Sequence, residues 1–262
     1  MLLAIDVGNT NITLGLFRDE ELISQWRLLT DRQRSGNEYR TDLAELFESA
    51  GIDRRTIDGI AIASVVPQLD RALTQMCEDY LQLTPLFINH TTDTGLKIVY
   101  DSPADVGVDR IVDAAAAVTK YGAPCIVVDF GTATTFNVVN ARREYLGGAI
   151  APGLMISAEA LFARAAKLPR VEIKRPEKVI GSSTIGAMQS GLYHGYVGLV
   201  DGMLEQMIAE VGEKPRVIAT GGLASVIAPA SRLIEDIDPI LTLDGLRLIY
   251  ERNNTHQAQA QN

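Results

Sequence analysis

Twice in this chain an apolar, strand-like run ends in an aspartate that is followed by glycine and by small polar side chains. Leu2 to Ile5 leads into Asp6-Val7-Gly8-Asn9-Thr10-Asn11-Ile12-Thr13 and then a second apolar run, Leu14 to Phe17. Val127 and Val128 lead into Asp129-Phe130-Gly131-Thr132-Ala133-Thr134-Thr135, and Phe136 to Val139 follows. The two aspartates stand close to half the 262-residue chain apart, so the spacing suggests a duplicated unit. Gly8 and Asn9 tolerate positive φ, and the first turn is expected to use that freedom to point backbone N–H groups outward. With hydroxyls beside it and a carboxylate at the strand end, such a turn can hold a phosphate chain and its cation. One turn of this kind is equally well an ordinary hairpin. Two, each opening a half of the chain, point to a shared role.

Composition narrows the class. Hydrophobic residues make up 47% and charged residues 22%, ordinary values for a globular chain able to bury one large core or two smaller ones. The net charge of −9 repels phosphate backbones, so no nucleic-acid partner is expected. Met1 runs straight into Leu2 to Asp6 with no basic stretch and no small-residue cleavage site, and no apolar run reaches membrane-spanning length. Cys77 and Cys125 are isolated and read as small buried hydrophobes in a reducing, cytoplasmic protein with no membrane partner.

The chain order then repeats itself. Leu2 to Val7, Ile12 to Arg18 and Glu21 to Leu29 read as a three-strand meander. Ser35 and Glu38 have capping-box spacing ahead of a helical stripe, Tyr39, Leu43, Leu46 and Phe47, that stops near Gly51. Gly59 to Val66 reads as a buried strand, Pro67 opens a helix over Leu69 to Leu81, and Leu86 to Asn89 is a further strand. His90 to Pro103, which contains Tyr100, is irregular; Val108 to Tyr121 is helical, with Ile111, Ala114, Ala115 and Val118 on one side.

Strands at Cys125 to Asp129, Thr134 to Val139 and Glu144 to Ile150 and a helix from Gly153 to about Arg164 repeat the opening pattern. Leu168 to Gly181 is a polar loop, and Thr184 to Glu210 a long helix. Gly191, Gly195, Gly198 and Gly202 fall on one face of that helix, where close packing by another helix, a second subunit or the helix's own sheet is expected. Arg216 to Thr220 is a strand ending in Gly221 and Gly222, and Asn253 to Asn262 reads as a disordered tail. The pattern predicts an α/β protein of two ribonuclease H-like domains, duplicated β-β-β-α-β-α units flanking a nucleotide cleft. The halves are residues 1–116 and 117–252, followed by the tail 253–262.

Most phosphate-handling chemistries are excluded by missing motifs. There is no P-loop, no Gly-x-Gly-x-x-Gly and no His-Arg-Asp loop; His90, His194 and His256 are scattered without zinc-ligand spacing. The two aspartate turns remain, with Gly107-Val108-Asp109-Arg110 at a predicted helix start. Phosphoryl transfer needs anion-cradling amides, a metal, a group orienting the nucleophile and a cation near the transferring oxygens. Asp109 and Arg110 can supply the last two, although at a helix start such residues are more often a cap and a surface charge.

Together, Asp6-Val7-Gly8-Asn9-Thr10, Gly107-Val108-Asp109-Arg110, Asp129-Phe130-Gly131-Thr132-Ala133-Thr134, Gly147-Gly148-Ala149-Ile150-Ala151-Pro152-Gly153 and Thr220-Gly221-Gly222 resemble the type III pantothenate kinases. The match runs in order from Ile5 to about Gly222, and the ordered set is specific where each motif alone is weak. The family belongs to the acetate and sugar kinase, Hsp70 and actin superfamily. The resemblance implies ATP-dependent phosphorylation of the primary hydroxyl of pantothenate, the first step of coenzyme A synthesis. It implies a homodimer using magnesium with ATP and a monovalent cation, potassium or ammonium.

Residue by residue, the resemblance makes Asp6, Val7, Gly8, Asn9, Thr10, Asn11, Ile12 and Thr13 the ATP phosphate turn, with Asp6 holding magnesium. Asp109 becomes the base or orienting group; Tyr100, Gly107, Val108, Arg110 and Thr184 contact pantothenate. Asp129 holds the monovalent cation and Thr132 touches ATP. Some relatives carry lysine where Thr13 stands, so phosphate neutralisation here falls more heavily on metal and backbone amides. Two other readings are a kinase of the same superfamily with another acceptor and a non-enzymatic transcriptional accessory factor. The retained Tyr100, Asp109, Arg110 and Thr184 speak against the first, and the acidic charge with Asp6, Asp109 and Asp129 against the second.

Overall fold

The computed structural model describes residues 1–165 and 168–260, without the side chains of 256–260. In chain order the strands and helices are β1 Leu2–Val7, β2 Asn11–Arg18, β3 Glu21–Leu29, α1 Gly36–Ser49, β4 Gly59–Ser64, α2 Pro67–Met76 and β5 Leu86–Phe87. Then come β6 Lys97–Ile98, α3 Val108–Tyr121, β7 Cys125–Phe130, β8 Ala133–Val139, β9 Glu144–Pro152, α4 Leu154–Arg164 and α5 Thr184–Val211. The chain continues through β10 Arg216–Thr220, α6 Ala224–Ile227, β11 Asp236–Ile237 and α7 Leu241–Ala260. No helix of the described residues is long and apolar enough to cross a membrane.

The duplication is visible in strand order. One sheet runs β3-β2-β1-β4-β5 and the other β11-β10-β7-β8-β9-β6. Without β6, the second is the first repeated: two antiparallel neighbours on one side of the central strand and two parallel ones on the other. The chain divides into two compact units, the first holding Met1–Leu96, Asp101–Ala116 and α7, the second Lys97–Tyr100 and Ala117–Ile240.

These units differ from a division at 116/117 in two places. Lys97 and Ile98 pair with Glu144 and Tyr145 of β9, and Lys97 Nζ donates to Glu144 Oε1 at 3.0 Å, so the stretch expected to be irregular contributes an edge strand to the second sheet. Helix α7 packs on the first unit: Leu243, Leu246 and Ile249 are buried with Leu2, Ala4 and Phe17. Burying each such side chain contributes about 1.5–3 kcal/mol, enough to recruit a helix across the whole sequence. Residues 253–260, expected to be disordered, continue this helix. Asn253 Nδ2 donates to Asp93 O at 2.9 Å and ties it down; Gln261 and Asn262 lie outside the described residues.

Local signals behave as the pattern requires. Ser35 and Glu38 form a reciprocal capping box, and Tyr39, Leu43 and Phe47 of α1 meet Leu3, Ile5 and Val7 in one core cluster. Cys77 and Cys125 are fully buried, and burial pushes both thiols up to about 12. Helix α3 departs from expectation. Every residue from Arg110 to Val118 is buried, where one apolar side was expected. In α5 the buried side chains are Met188, Tyr193, Tyr196, Val200 and Leu204. The glycines lie elsewhere: a Cβ on Gly191, Gly195, Gly198 or Gly202 would meet no described atom within 4 Å, so packing against the helix's own sheet is ruled out as their role.

Candidate phosphoryl-transfer site

Alternation along β1 decides where its terminal carboxylate goes. Leu3, Ile5 and Val7 face the cluster built with α1 and α2, whereas Leu2 and Ala4 face the cluster that holds Val108 and Val112 of α3 and Leu243 of α7. Asp6 continues the Leu2–Ala4 row and so stands on the α3 side of its sheet. It pairs with Thr13 across β2 and with Ala63 across β4, which places Thr13 beside it on the same face.

The turn itself is tight. Gly8 N donates to Asn11 O at 3.0 Å around Asn9 and Thr10. Neither Gly8 nor Asn9 adopts positive φ, contrary to expectation. Gly8 is needed for room instead: a Cβ there would stand 3.1 Å from Asn11 O, closer than ordinary packing.

The Gly107–Arg110 cluster begins α3 as expected, and its Val108 belongs to the same core face as Ala4 and Ala63. The carboxylate of Asp109 folds back at the helix start. Its Oδ1 accepts the Arg110 N–H at 2.8 Å, and a Cβ on Gly107 would stand 2.6 Å from that same oxygen. Burial raises the Asp109 carboxyl above its ordinary value, against the opposing pull of the Arg110 N–H and guanidinium. A carboxylate raised by burial is a better proton acceptor than one on the surface. The first unit therefore carries Asp6 and Thr13 on the sheet face against which α3, with Asp109 in its first turn, packs through Val108 and Val112.

In the second unit the repeated turn is built differently around its aspartate. Ile126, Val128 and Phe130 of β7 enter the core shared with α5, which puts Asp129 on the opposite face, paired with Thr135 and Thr220. Two glycine turns close on its carboxylate. A Cβ on Gly131 would stand 3.0 Å from Oδ2, and one on Gly221, whose φ is +89°, would overlap Oδ1 and the Phe130 backbone. Thr220 and Gly221 are thus part of the Asp129 surroundings, although the Thr-Gly-Gly turn alone carried too little signal to be placed there. Thr132 is exposed beside Gly153, the residue before α4.

The remaining expected residues also lie in the second unit. Tyr100, just past β6, rests on Gly147: a Cβ there would stand 2.9 Å from Tyr100 Cε2. Thr184 is exposed in the first turn of α5, behind the N-cap Ser183. Asp6, Gly107, Val108, Asp109 and Arg110 belong to the first unit, and Tyr100, Asp129, Thr132 and Thr184 to the second.

Two sheets of one topology, each ending its central strand in an aspartate turn, define the duplicated ribonuclease H-like fold of the sugar kinase, Hsp70 and actin superfamily. Solved structures agree on the fold. A Campylobacter jejuni protein assigned to the Baf family of transcriptional activators superposes with a TM-score of 0.61 at 19% identity, covering 97% of this chain and 99% of the other. The activator of 2-hydroxyisocaproyl-CoA dehydratase from Clostridium difficile does so with a TM-score of 0.58 at 11% identity, covering 98% and 97%.

The chain belongs to the type III pantothenate kinase family, whose model matches residues 2–206. The type III pantothenate kinase of Halalkalibacterium halodurans is 53% identical over 253 residues, covering 97% of this chain and all of that one. That of Koribacter versatilis is 52% identical over 266 residues, covering 98% and 97%.

Proposed function

We propose that this kinase transfers the γ-phosphoryl group of ATP to the primary hydroxyl of pantothenate, forming 4′-phosphopantothenate, with Asp109 as the group that orients that hydroxyl and takes its proton. The observation that carries the assignment is the Gly107–Asp109 arrangement: a carboxylate raised by burial in the first turn of α3, the helix whose Val108 and Val112 pack on the sheet face of Leu2 and Ala4. The hydroxyl oxygen bonds to the γ-phosphorus as the bond to the leaving ADP oxygen breaks, and the hydroxyl proton passes to Asp109. Little early proton removal is required, because the transition state is loose.

The Asp6–Thr13 turn supports the ATP phosphates, and Thr132 is a further ATP contact. Gly107, Val108 and Arg110, with Tyr100 and Thr184 from the second unit, contact pantothenate. Asp6 fits magnesium as a strand-end carboxylate beside the turn assigned to the phosphates, since this ion is commonly held by one or two carboxylates together with substrate phosphates. Asp129 is the group assigned to potassium or ammonium, a carboxylate at a strand end against which the Gly131 and Gly221 turns pack closely. When bound, these cations neutralise charge on the phosphates. A homodimer, placed in the cytoplasm, belongs to the same reading, and the glycine face of α5, which lets a second helix backbone approach, supports the dimer.

ATP consumption by the purified protein, with pantothenate, magnesium and potassium, tests the reading. Turnover is expected to need pantothenate and to fall when sodium replaces potassium. A folded protein that binds ATP but shows no pantothenate-dependent turnover would overturn the acceptor and favour a regulatory role or another substrate.

A further inference from the structure

Gly8, Asn9 and Thr10 of the first aspartate turn are held from outside by the segment that follows β3. Thr30 Oγ1 donates to Gly8 O at 2.7 Å, Thr30 N donates to Thr10 O at 3.0 Å, and Arg32 Nη2 donates to Asn9 Oδ1 at 3.1 Å. The holding segment is itself anchored. Gln33 N donates to Asp31 Oδ1 at 2.9 Å, the buried Tyr39 hydroxyl of α1 donates to Asp31 O at 3.2 Å, and Arg34 forms a two-pronged ion pair with Asp42 of the same helix. Hence α1, through Asp31 and Arg34, fixes Thr30 and Arg32, and these fix the turn.

The chemistry of a trans peptide gives this a direction. Within one peptide plane the C=O and the following N–H point to opposite sides. Engaging the Gly8 carbonyl therefore turns the Asn9 N–H away from Thr30, and engaging the Thr10 carbonyl does the same for the Asn11 N–H. A turn whose carbonyls were loose could rotate either plane and present an oxygen, not an amide, to a phosphate. Donors aimed in advance act without reorganisation when the anion arrives.

We propose that Thr30 and Arg32 are positioning residues for nucleotide phosphate: Thr30 holds the Gly8 and Thr10 carbonyls and Arg32 the Asn9 side chain, so that the Asn9 and Asn11 amides face the ligand. The inference rests on the reading of that turn as an ATP phosphate site. It assigns no contact between Thr30 or Arg32 and the substrate. Thr30→Val removes the hydroxyl at nearly constant volume, Thr30→Ser retains it, and Arg32→Met removes the exposed guanidinium.

Equilibrium binding of magnesium–ATP and steady-state kinetics are measured on the full chain. Thr30→Val should raise the Kd for ATP about tenfold, the effect of one well-placed hydrogen bond, with the KM for pantothenate within about twofold of the parent. Thr30→Ser should restore parental affinity, and Arg32→Met should raise the ATP Kd about threefold. Parental ATP affinity in a folded Thr30→Val protein would overturn the proposal; should that variant not fold, parental affinity in Arg32→Met would do so.

Amide hydrogen exchange on the ligand-free proteins reads the clamp without any nucleotide. Faster exchange across residues 8–11 in Thr30→Val is expected, and unchanged exchange counts against the clamp. A parent that binds no ATP would sink the phosphate-site reading, whereas a parent that binds ATP beside an unaffected Thr30→Val sinks the clamp alone.

Discussion

The carboxylate of Asp109 rests where a side chain on Gly107 would have to go, with 2.6 Å between its Oδ1 and an ideal Cβ on that glycine. Because the same oxygen also accepts the Arg110 N–H, the carboxylate has two constraints on its direction. Gly107→Ala should push it aside while leaving α3 formed. A misplacement of about 1 Å at a reacting group costs on the order of a hundredfold in rate, so kcat should fall by about 10- to 100-fold. Turnover equal to the parent at saturating pantothenate would contradict the positioning.

Asp109→Asn should separate activity from stability. Loss of a positioned base is expected to lower kcat by at least about a hundredfold. The folded carboxyl lies above its ordinary value, so the native state keeps a proton over a range in which the unfolded chain has lost it. Stability therefore falls as pH rises from the ordinary aspartate value through the raised folded one, and at neutral pH the ionised group destabilises the fold. The asparagine variant should melt a few degrees higher at pH 7, with the difference vanishing in acid below the ordinary value. Calorimetry at both pH values checks the sign, and the same titration predicts that parental kcat drops as pH falls through the raised value.

At the second turn, Gly221→Ala introduces a side chain at φ +89° and into the Asp129 carboxylate. Strain of this kind costs about 1–3 kcal/mol, which thermal melting should register as a shift of several degrees. Asp129→Ala leaves the backbone intact and should chiefly weaken the response to potassium. A potassium titration of initial rates that matches the parent in Asp129→Ala would refute the cation role.

Gly195→Leu addresses assembly. Among the described residues nothing lies within 4 Å of a Cβ at this position, and replacing a mid-helix glycine by a better helix former contributes up to about 1 kcal/mol to the helix. The monomer should be unharmed, while close approach of a second α5 is blocked. Sedimentation should show a dimeric parent and a monomeric variant; a variant that stays dimeric places the interface elsewhere.

Much of the architecture was legible before any coordinates, and for one reason. The β1–β3 meander, the Ser35–Glu38 box, the Pro67 helix start and the Val108–Tyr121 helix depend on neighbours within a few residues, so alternation and capping chemistry reveal them. The strand Lys97–Ile98 is too short to show a period, and it exists because β9 offers it an edge and Glu144 an ion pair. Helix α3 hid its character in another way: its small alanines fit an amphipathic reading, yet burial covers it on every side.

By itself the sequence determined the repeat and the element order, and it singled out Asp6, Asp109 and Asp129 as candidate carboxylates. Tertiary structure decided what surrounds them. Alternation could place Asp6 on a face, but which face meets α3 depends on Leu2 and Ala4 finding Val108, Val112 and Leu243. Thr30 reaches Gly8, and Gly221 reaches Asp129, across strands distant in sequence. Such contacts arise when a whole sheet closes and its apolar faces are buried together, a cooperative event that no short window of residues encodes.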